Sequence, residues 1–202
     1  MRKFDELLGG HRIVVILRGQ EPERAVQLAE ATWRAGAGIV EVTVQDESGF
    51  AALKATAEAG RQSGHPVGAG TILTADQVGR ARSAGAAFTV SPGLNAEVAA
   101  ASRAAGLPHL PGVATATELQ HALSLGCGWV KAFPASALGP VWFREMRGPF
   151  PGVDFVATGG ITAETIADFL AVGVRAVGIG SAATRPGGLE ALLAAVHAAV
   201  PG

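Results

Sequence analysis

The chain has 202 residues, a formal net charge of −1, and 49% hydrophobic against 16% charged residues, a composition that lets one large domain bury a substantial core. The near-neutral charge and the lack of any basic run interleaved with aromatics exclude nucleic acid as an expected partner. No stretch reaches the roughly 20 uninterrupted apolar residues that a membrane span needs.

The chain opens on Met1-Arg2-Lys3-Phe4-Asp5-Glu6, which is charged and does not read as a signal peptide. With a single cysteine, Cys127, an intrachain disulfide is excluded, and a reducing, cytoplasmic location is expected. From there one beat repeats: a β-branched or apolar run, a helix rich in small residues, a glycine, and the next run. Residues 13–17 form the first run and end at Arg18. Pro22 suits the first turn of a helix through Ala35. Gly36 precedes the run 39–43, and Gly60 precedes 67–69. Thr74-Ala75-Asp76-Gln77 has capping-box spacing, and Gly85 leads into 87–90. Gly106 leads into 109–110, followed by a second capping box, Thr115-Ala116-Thr117-Glu118. Gly126 leads into 129–133, with Cys127 read as packing; 155–157 comes next, and Gly173 leads into 176–179. Glycine suits these slots because helices commonly end in the left-handed conformation.

Strands alternating with helices imply a parallel sheet. About eight βα units in one domain, residues 1–202, predict an α/β fold, a compact (β/α)8 TIM barrel. Periodicity does not show closure, so an open doubly wound sheet is the alternative.

Two runs carry a charge where both faces of a strand should be covered. Lys131 sits between Val130 and Ala132, and Glu41 between Val40 and Val42. Because side chains alternate along a strand, Trp129, Lys131 and Phe133 share a face, as do Ile39, Glu41 and Thr43. If the flanking valines pack on helices, both charges point into the barrel. Of 16 basic residues only Lys3, Lys54 and Lys131 are lysines. A guanidinium cannot form an imine, whereas a desolvated amine can. A structural salt bridge to Glu41 or another acid is the other reading of Lys131.

Thr158-Gly159-Gly160-Ile161-Thr162 follows the seventh run and is expected to open a helix; Gly178-Ile179-Gly180-Ser181 follows the eighth. Loops at these two places often bind phosphate through backbone N–H groups and a helix N-terminus, although each glycine pair also fits a tight turn. Arg18, Thr43, Thr71 and Ser91 are further polar residues at strand ends. Arg18 suits a carboxylate, and Thr71 a substrate oxygen or a turn cap. The histidines do not converge. His109 reads as a hydrogen-bonded core residue, and no cluster has metal-ligand spacing.

Over nearly its whole length the sequence resembles the 2-keto-3-deoxy-6-phosphogluconate (KDPG) aldolases, which overlap with the 4-hydroxy-2-oxoglutarate (KHG) aldolases. The segments that carry the resemblance are Val14-Val15-Ile16-Leu17-Arg18, Glu41-Val42-Thr43, Gly68-Ala69-Gly70-Thr71, Ser91-Pro92-Gly93, Leu110-Pro111-Gly112-Val113, Lys131-Ala132-Phe133-Pro134, Gly148-Pro149-Phe150-Pro151 and Thr158-Gly159-Gly160. The resemblance implies a class I barrel aldolase without metal or other cofactor, assembled as a homotrimer. It implies Lys131 as the Schiff-base lysine and Glu41 as the general acid/base. Arg18 and Thr71 fall near the keto-acid carboxylate, Pro92 and Phe133 on the pocket wall, and Thr158 on the substrate. Gly159, Gly160, Gly180 and Ser181 fall in the phosphate loops. Many relatives carry Arg two residues beyond Glu-Val-Thr, where this chain has Gln45; Arg18 is the expected substitute.

The expected reaction is cleavage of 2-dehydro-3-deoxy-6-phosphogluconate to pyruvate and glyceraldehyde 3-phosphate, with 4-hydroxy-2-oxoglutarate as a further substrate. The expected partner is thus a small phosphorylated 2-keto acid. The alternatives are the galactonate epimer, an isomerase or epimerase using Glu41 as base, and a catalytically silent phosphometabolite-binding protein.

Overall fold

The computed structural model describes residues 4–199. Positions 1–3, where the charged start of the chain falls, and 200–202 lie outside them. The strands are β1 Ile13–Leu17, β2 Ile39–Thr43, β3 Val67–Gly70, β4 Phe88–Val90, β5 His109–Leu110, β6 Gly112–Val113, β7 Trp129–Ala132, β8 Asp154–Thr158 and β9 Ala176–Ile179. Between and around them run α1 Phe4–Leu8, α2 Pro22–Arg34, α3 Glu47–Ser63, α4 Ala75–Ser83, α5 Ala96–Ala104, α6 Ala116–Ser124, α7 Ala135–Arg147, α8 Ile166–Ala171 and α9 Gly188–Ala199.

All strand pairings are parallel, in the order β5-β4-β3-β2-β1-β9-β8-β7-β6. The two ends of that order, β5 and β6, are one stretch of chain interrupted only at Pro111, which has no N–H to give. On one side Ser91 N donates to Leu110 O at 3.0 Å, and on the other Lys131 N donates to Pro111 O at 2.8 Å. The ring therefore closes, with eight strand positions, and the fold is a (β/α)8 barrel rather than an open sheet.

The period-two alternation sorts side chains onto two sides of this wall. Ile13, Val15, Leu17, Val40, Val42, Val130 and Ala132 face the helices in one continuous apolar layer. Val14, Ile39, Phe88, Val90, Leu110, Trp129 and Val156 fill the interior with Phe4, Leu7 and Leu8 of α1. Each large side chain in these layers contributes roughly 1.5–3 kcal/mol by leaving water. α1 plugs the N-terminal end of the barrel: the Phe4 ring meets Phe88 edge-on at 5.5 Å and Trp129 at 6.0 Å. Arg175 fastens this plug from outside, 3.2 Å from Asp5 and 3.5 Å from Asp154.

Both capping boxes form as expected, Thr74 with Gln77 and Thr115 with Glu118. One expected helix end does not. Gly60 lies inside α3, and Gly64, with φ 78°, makes the left-handed cap. Gly60 is glycine for lack of room, since a Cβ there would lie 2.5 Å from His65 O and 2.9 Å from Val67 Cγ2. Among the described residues no helix is long and apolar enough to cross a membrane.

Candidate active site

Parallel strands deliver their C-terminal ends to one rim, and the residues singled out from the sequence follow that rule. Arg18 follows β1, Glu41 and Thr43 lie in β2, Thr71 follows β3, Pro92 follows β4, and Lys131 lies in β7 with Phe133 just beyond. Thr158 ends β8, and Gly159, Gly160, Gly180 and Ser181 lie in the loops after β8 and β9.

Val130 and Ala132 are fully buried on the helix side, as are Val40 and Val42 on β2, so Lys131 and Glu41 are turned inward. Lys131 Nζ stands 4.0 Å from Glu41 Oε1, with side chains 6% and 4% exposed. That separation is an ion pair too long for a hydrogen bond, and Glu41 Oε1 has no hydrogen-bond partner from the described protein groups. The lysine is therefore not locked against the acid. Lys131 Nζ also lies 5.4 Å from the centre of the Phe133 ring. Phe133 is not part of the strand as expected: β7 ends at Ala132, and Phe133 stands 36% exposed at the rim.

Two glycines make room for this arrangement. A Cβ on Gly70 would fall 1.9 Å from Glu41 Oε1, and one on Gly178 would fall 2.4 Å from Thr158 Oγ1. Thr158 is 5% exposed. Thr71 is the only non-glycine among the described residues with positive φ, 62°, a strained state for a β-branched side chain. Such strain persists only where surroundings impose it, and it is concentrated at functional sites.

Arg18 is exposed at the rim and donates from one guanidinium nitrogen to Gln45 Oε1 at 3.3 Å. The residue expected to replace the missing arginine thus touches the residue that stands in its place. Thr43 is buried on the Glu41 face, and its hydroxyl has no partner among the described protein groups. Ser91 donates to Ile72 O at 2.6 Å and ties two rim loops together.

The expected helix opening directly after Gly160 is absent. Both Gly159 and Gly160 have positive φ, 99° and 73°, and α8 begins only at Ile166. Close packing accounts for both glycines: a Cβ on Gly159 would meet the Phe133 ring at 3.1 Å, and one on Gly160 would meet Ser136 Oγ at 2.3 Å. Ser136, at the start of α7, was not distinguishable in sequence. It borders the loop and donates its N–H to Gly159 O at 2.9 Å. The stretch from Gly159 to Thr165 is therefore loop, and no helix N-terminus stands directly after β8.

His109 stands apart from the mouth. Its Nδ1 pairs with Thr89 Oγ1 at 3.0 Å, and Thr89 in turn pairs with Ser102 at 2.9 Å. Burial pushes the imidazole down to about 4, partly opposed by the Thr89 contact. It is the hydrogen-bonded, neutral core histidine that its position predicts. Among the described residues no group of three or more His, Cys, Asp or Glu is arranged to hold a metal ion.

The family model described as KDPG and KHG aldolase matches residues 4–191. A 2-dehydro-3-deoxy-phosphogluconate aldolase of Treponema pallidum is 38% identical over 82% of this chain and 79% of its own length. A probable 2-dehydro-3-deoxy-6-phosphogalactonate aldolase of Rhizobium meliloti is 35% identical over 87% of this chain and 82% of its own. Among solved structures, a KDPG aldolase of Legionella pneumophila, with pyruvate captured as a covalent carbinolamine, superposes with a TM-score of 0.82 at 30% identity, covering 96% of this chain and 94% of that one. The chain belongs to the KDPG and KHG aldolase family and is a carbon–carbon lyase.

Proposed function

We propose that this aldolase works through a covalent imine on Lys131 and cleaves 2-dehydro-3-deoxy-6-phosphogluconate to pyruvate and glyceraldehyde 3-phosphate. The observation that carries the reading is the Lys131 Nζ to Glu41 Oε1 separation of 4.0 Å inside the barrel wall. An amine and a carboxylate share one site without being hydrogen-bonded to each other. The amine adds to the C2 carbonyl, and the resulting carbinolamine takes a proton from solvent and loses water to leave a protonated imine. Glu41 takes the proton of the C4 hydroxyl. The C3–C4 bond breaks, its electron pair moves into the imine to give an enamine, and C4 leaves as the aldehyde. The enamine takes a proton at C3, and water releases pyruvate and the free amine.

Arg18, held by Gln45, is the proposed partner of the keto-acid carboxylate, and Thr71 that of an adjacent oxygen. Pro92 and Phe133 wall the pocket, and Thr158 contacts the substrate. Backbone N–H groups of Gly159, Gly160 and Gly180, with the Ser181 hydroxyl, receive the phosphate. Binding that remote group fixes C4 for cleavage. The same reading takes residues 1–202 as one aldolase domain, forming a cytoplasmic homotrimer. 4-Hydroxy-2-oxoglutarate is carried as a second substrate, giving pyruvate and glyoxylate.

A second reading, the galactonate epimer as preferred substrate, is favoured by the 35% identity, over 87% of this chain, to the probable 2-dehydro-3-deoxy-6-phosphogalactonate aldolase of Rhizobium meliloti. Pyruvate release measured with the three substrates tests the proposal. The gluconate derivative is expected to give the highest kcat/KM; a galactonate preference selects the second reading, and no pyruvate from any of them defeats both.

A further inference from the structure

At the end of the barrel opposite Lys131, the described residues enclose a half-open cavity of about 350 Å3 between α1, α5 and the loop before β7, within the size range of small-molecule sites. Phe4, Leu107, Leu125 and Trp129 supply apolar wall. From the loop before β7, Gly126, Cys127 and Gly128 line the cavity; the Gly128 backbone is unstrained, and a Cβ on it would meet nothing within 4 Å.

One charge at the rim has donors to offer. Arg103 donates from one terminal nitrogen to Leu125 O, leaving further N–H groups of a five-donor fork. The acid lining the same cavity, Asp5, is held 3.2 Å from Arg175, so the rim does not oppose a second carboxylate with an unmatched one. His109 forms part of the floor and contributes no charge at neutral pH. Apolar walls with a guanidinium at one edge match a small molecule with an apolar body and a single anionic head.

We propose that this cavity is a second ligand site, separate from the aldol site, for a small aryl or branched-alkyl carboxylate, with Arg103 receiving the carboxylate and the Gly128 side of the pocket receiving the apolar body. Isothermal titration of the intact enzyme with phenylacetate tests it. That probe has no ketone to condense with Lys131, and saturating pyruvate is kept present throughout. The expected Kd is about 1 mM or tighter, weakened about tenfold or more in Arg103→Ala and lost in Gly128→Leu. Acetate and 2-phenylethanol, each lacking half of the recognised chemistry, are expected to bind about tenfold more weakly or worse. Circular dichroism and pyruvate release at wild-type levels certify each variant as folded; if Gly128→Leu fails that check, the exposed Arg103→Ala decides alone. A flat titration up to about 10 mM with pyruvate present, or an affinity unmoved in the folded variants, overturns the proposal.

Discussion

Gly70 on β3 and Glu41 on β2 are matched so closely that a methyl group on the first would lie 1.9 Å from a carboxylate oxygen of the second. The carboxylate cannot keep its place if residue 70 gains a side chain. Since Val42 pairs with Ala69 and Thr43 with Gly70 in the ladder, the strands themselves have no slack. Gly70→Ala is therefore expected to turn Glu41 away from Lys131 and lower kcat about a hundredfold, with KM changed far less. Steady-state kinetics check this; an unchanged kcat would show that Glu41 does not need its present position.

Thr71 has φ 62°, which costs a β-branched residue on the order of 1–2 kcal/mol. Thr71→Gly relieves that strain and is expected to leave the melting temperature equal or higher. Removing the hydroxyl from the rim should at the same time raise KM about tenfold. Scanning calorimetry and kinetics on one preparation give both numbers. A variant with higher melting temperature and unaltered KM would mark the conformation as structural only.

Arg18 is exposed and makes its side-chain contact with Gln45, so Arg18→Ala should change stability by less than about 0.5 kcal/mol. Its proposed task at the carboxylate predicts a rise in KM of about ten- to a hundredfold, since a charge-assisted contact is lost. Gln45→Arg in that background is expected to restore part of the loss. A KM that ignores Arg18 would remove the residue from substrate binding.

His109 couples folding to pH. Its ordinary value of 6.5 falls to about 4 in the fold, chiefly through burial, so the unfolded chain takes up the proton first as pH falls. The stability contributed by the neutral ring is present above pH 6.5 and is lost between there and about 4, amounting to about 2 kcal/mol from pH 7 to pH 5. Asp154, pushed up by burial, works in the opposite sense, so the wild type must be compared with His109→Gln. Urea unfolding at the two pH values should show a smaller loss in the variant; equal losses would contradict the assignment.

The parts of this structure legible in sequence are those set by local rules. Alternation placed Lys131 and Glu41 inside because Val130, Ala132, Val40 and Val42 are apolar enough to hold the other face, and all four are 2% exposed or less. The capping boxes are equally local. What stayed hidden depends on neighbours distant in sequence. Gly60 reads like a helix end but is shaped by His65 and Val67, and Gly160, facing Ser136, cannot start a helix. Closure of the ring rests on both sides of a stretch broken at Pro111 finding β4 and β7, and no pattern within 109–113 announces it. The distance between Lys131 and Glu41 belongs to the same class, because strands β2 and β7 are not neighbours in the barrel wall.

Covalent trapping tests the lysine most directly. The only other lysines are Lys3 and Lys54, so peptide mapping identifies the reacting amine without ambiguity. Enzyme incubated with pyruvate and reduced with borohydride is predicted to gain one reduced pyruvate adduct per chain, located on Lys131, and Lys131→Arg is predicted to gain none. An unmodified intact mass, or an adduct on Lys54 alone, would contradict an imine-forming amine inside the barrel.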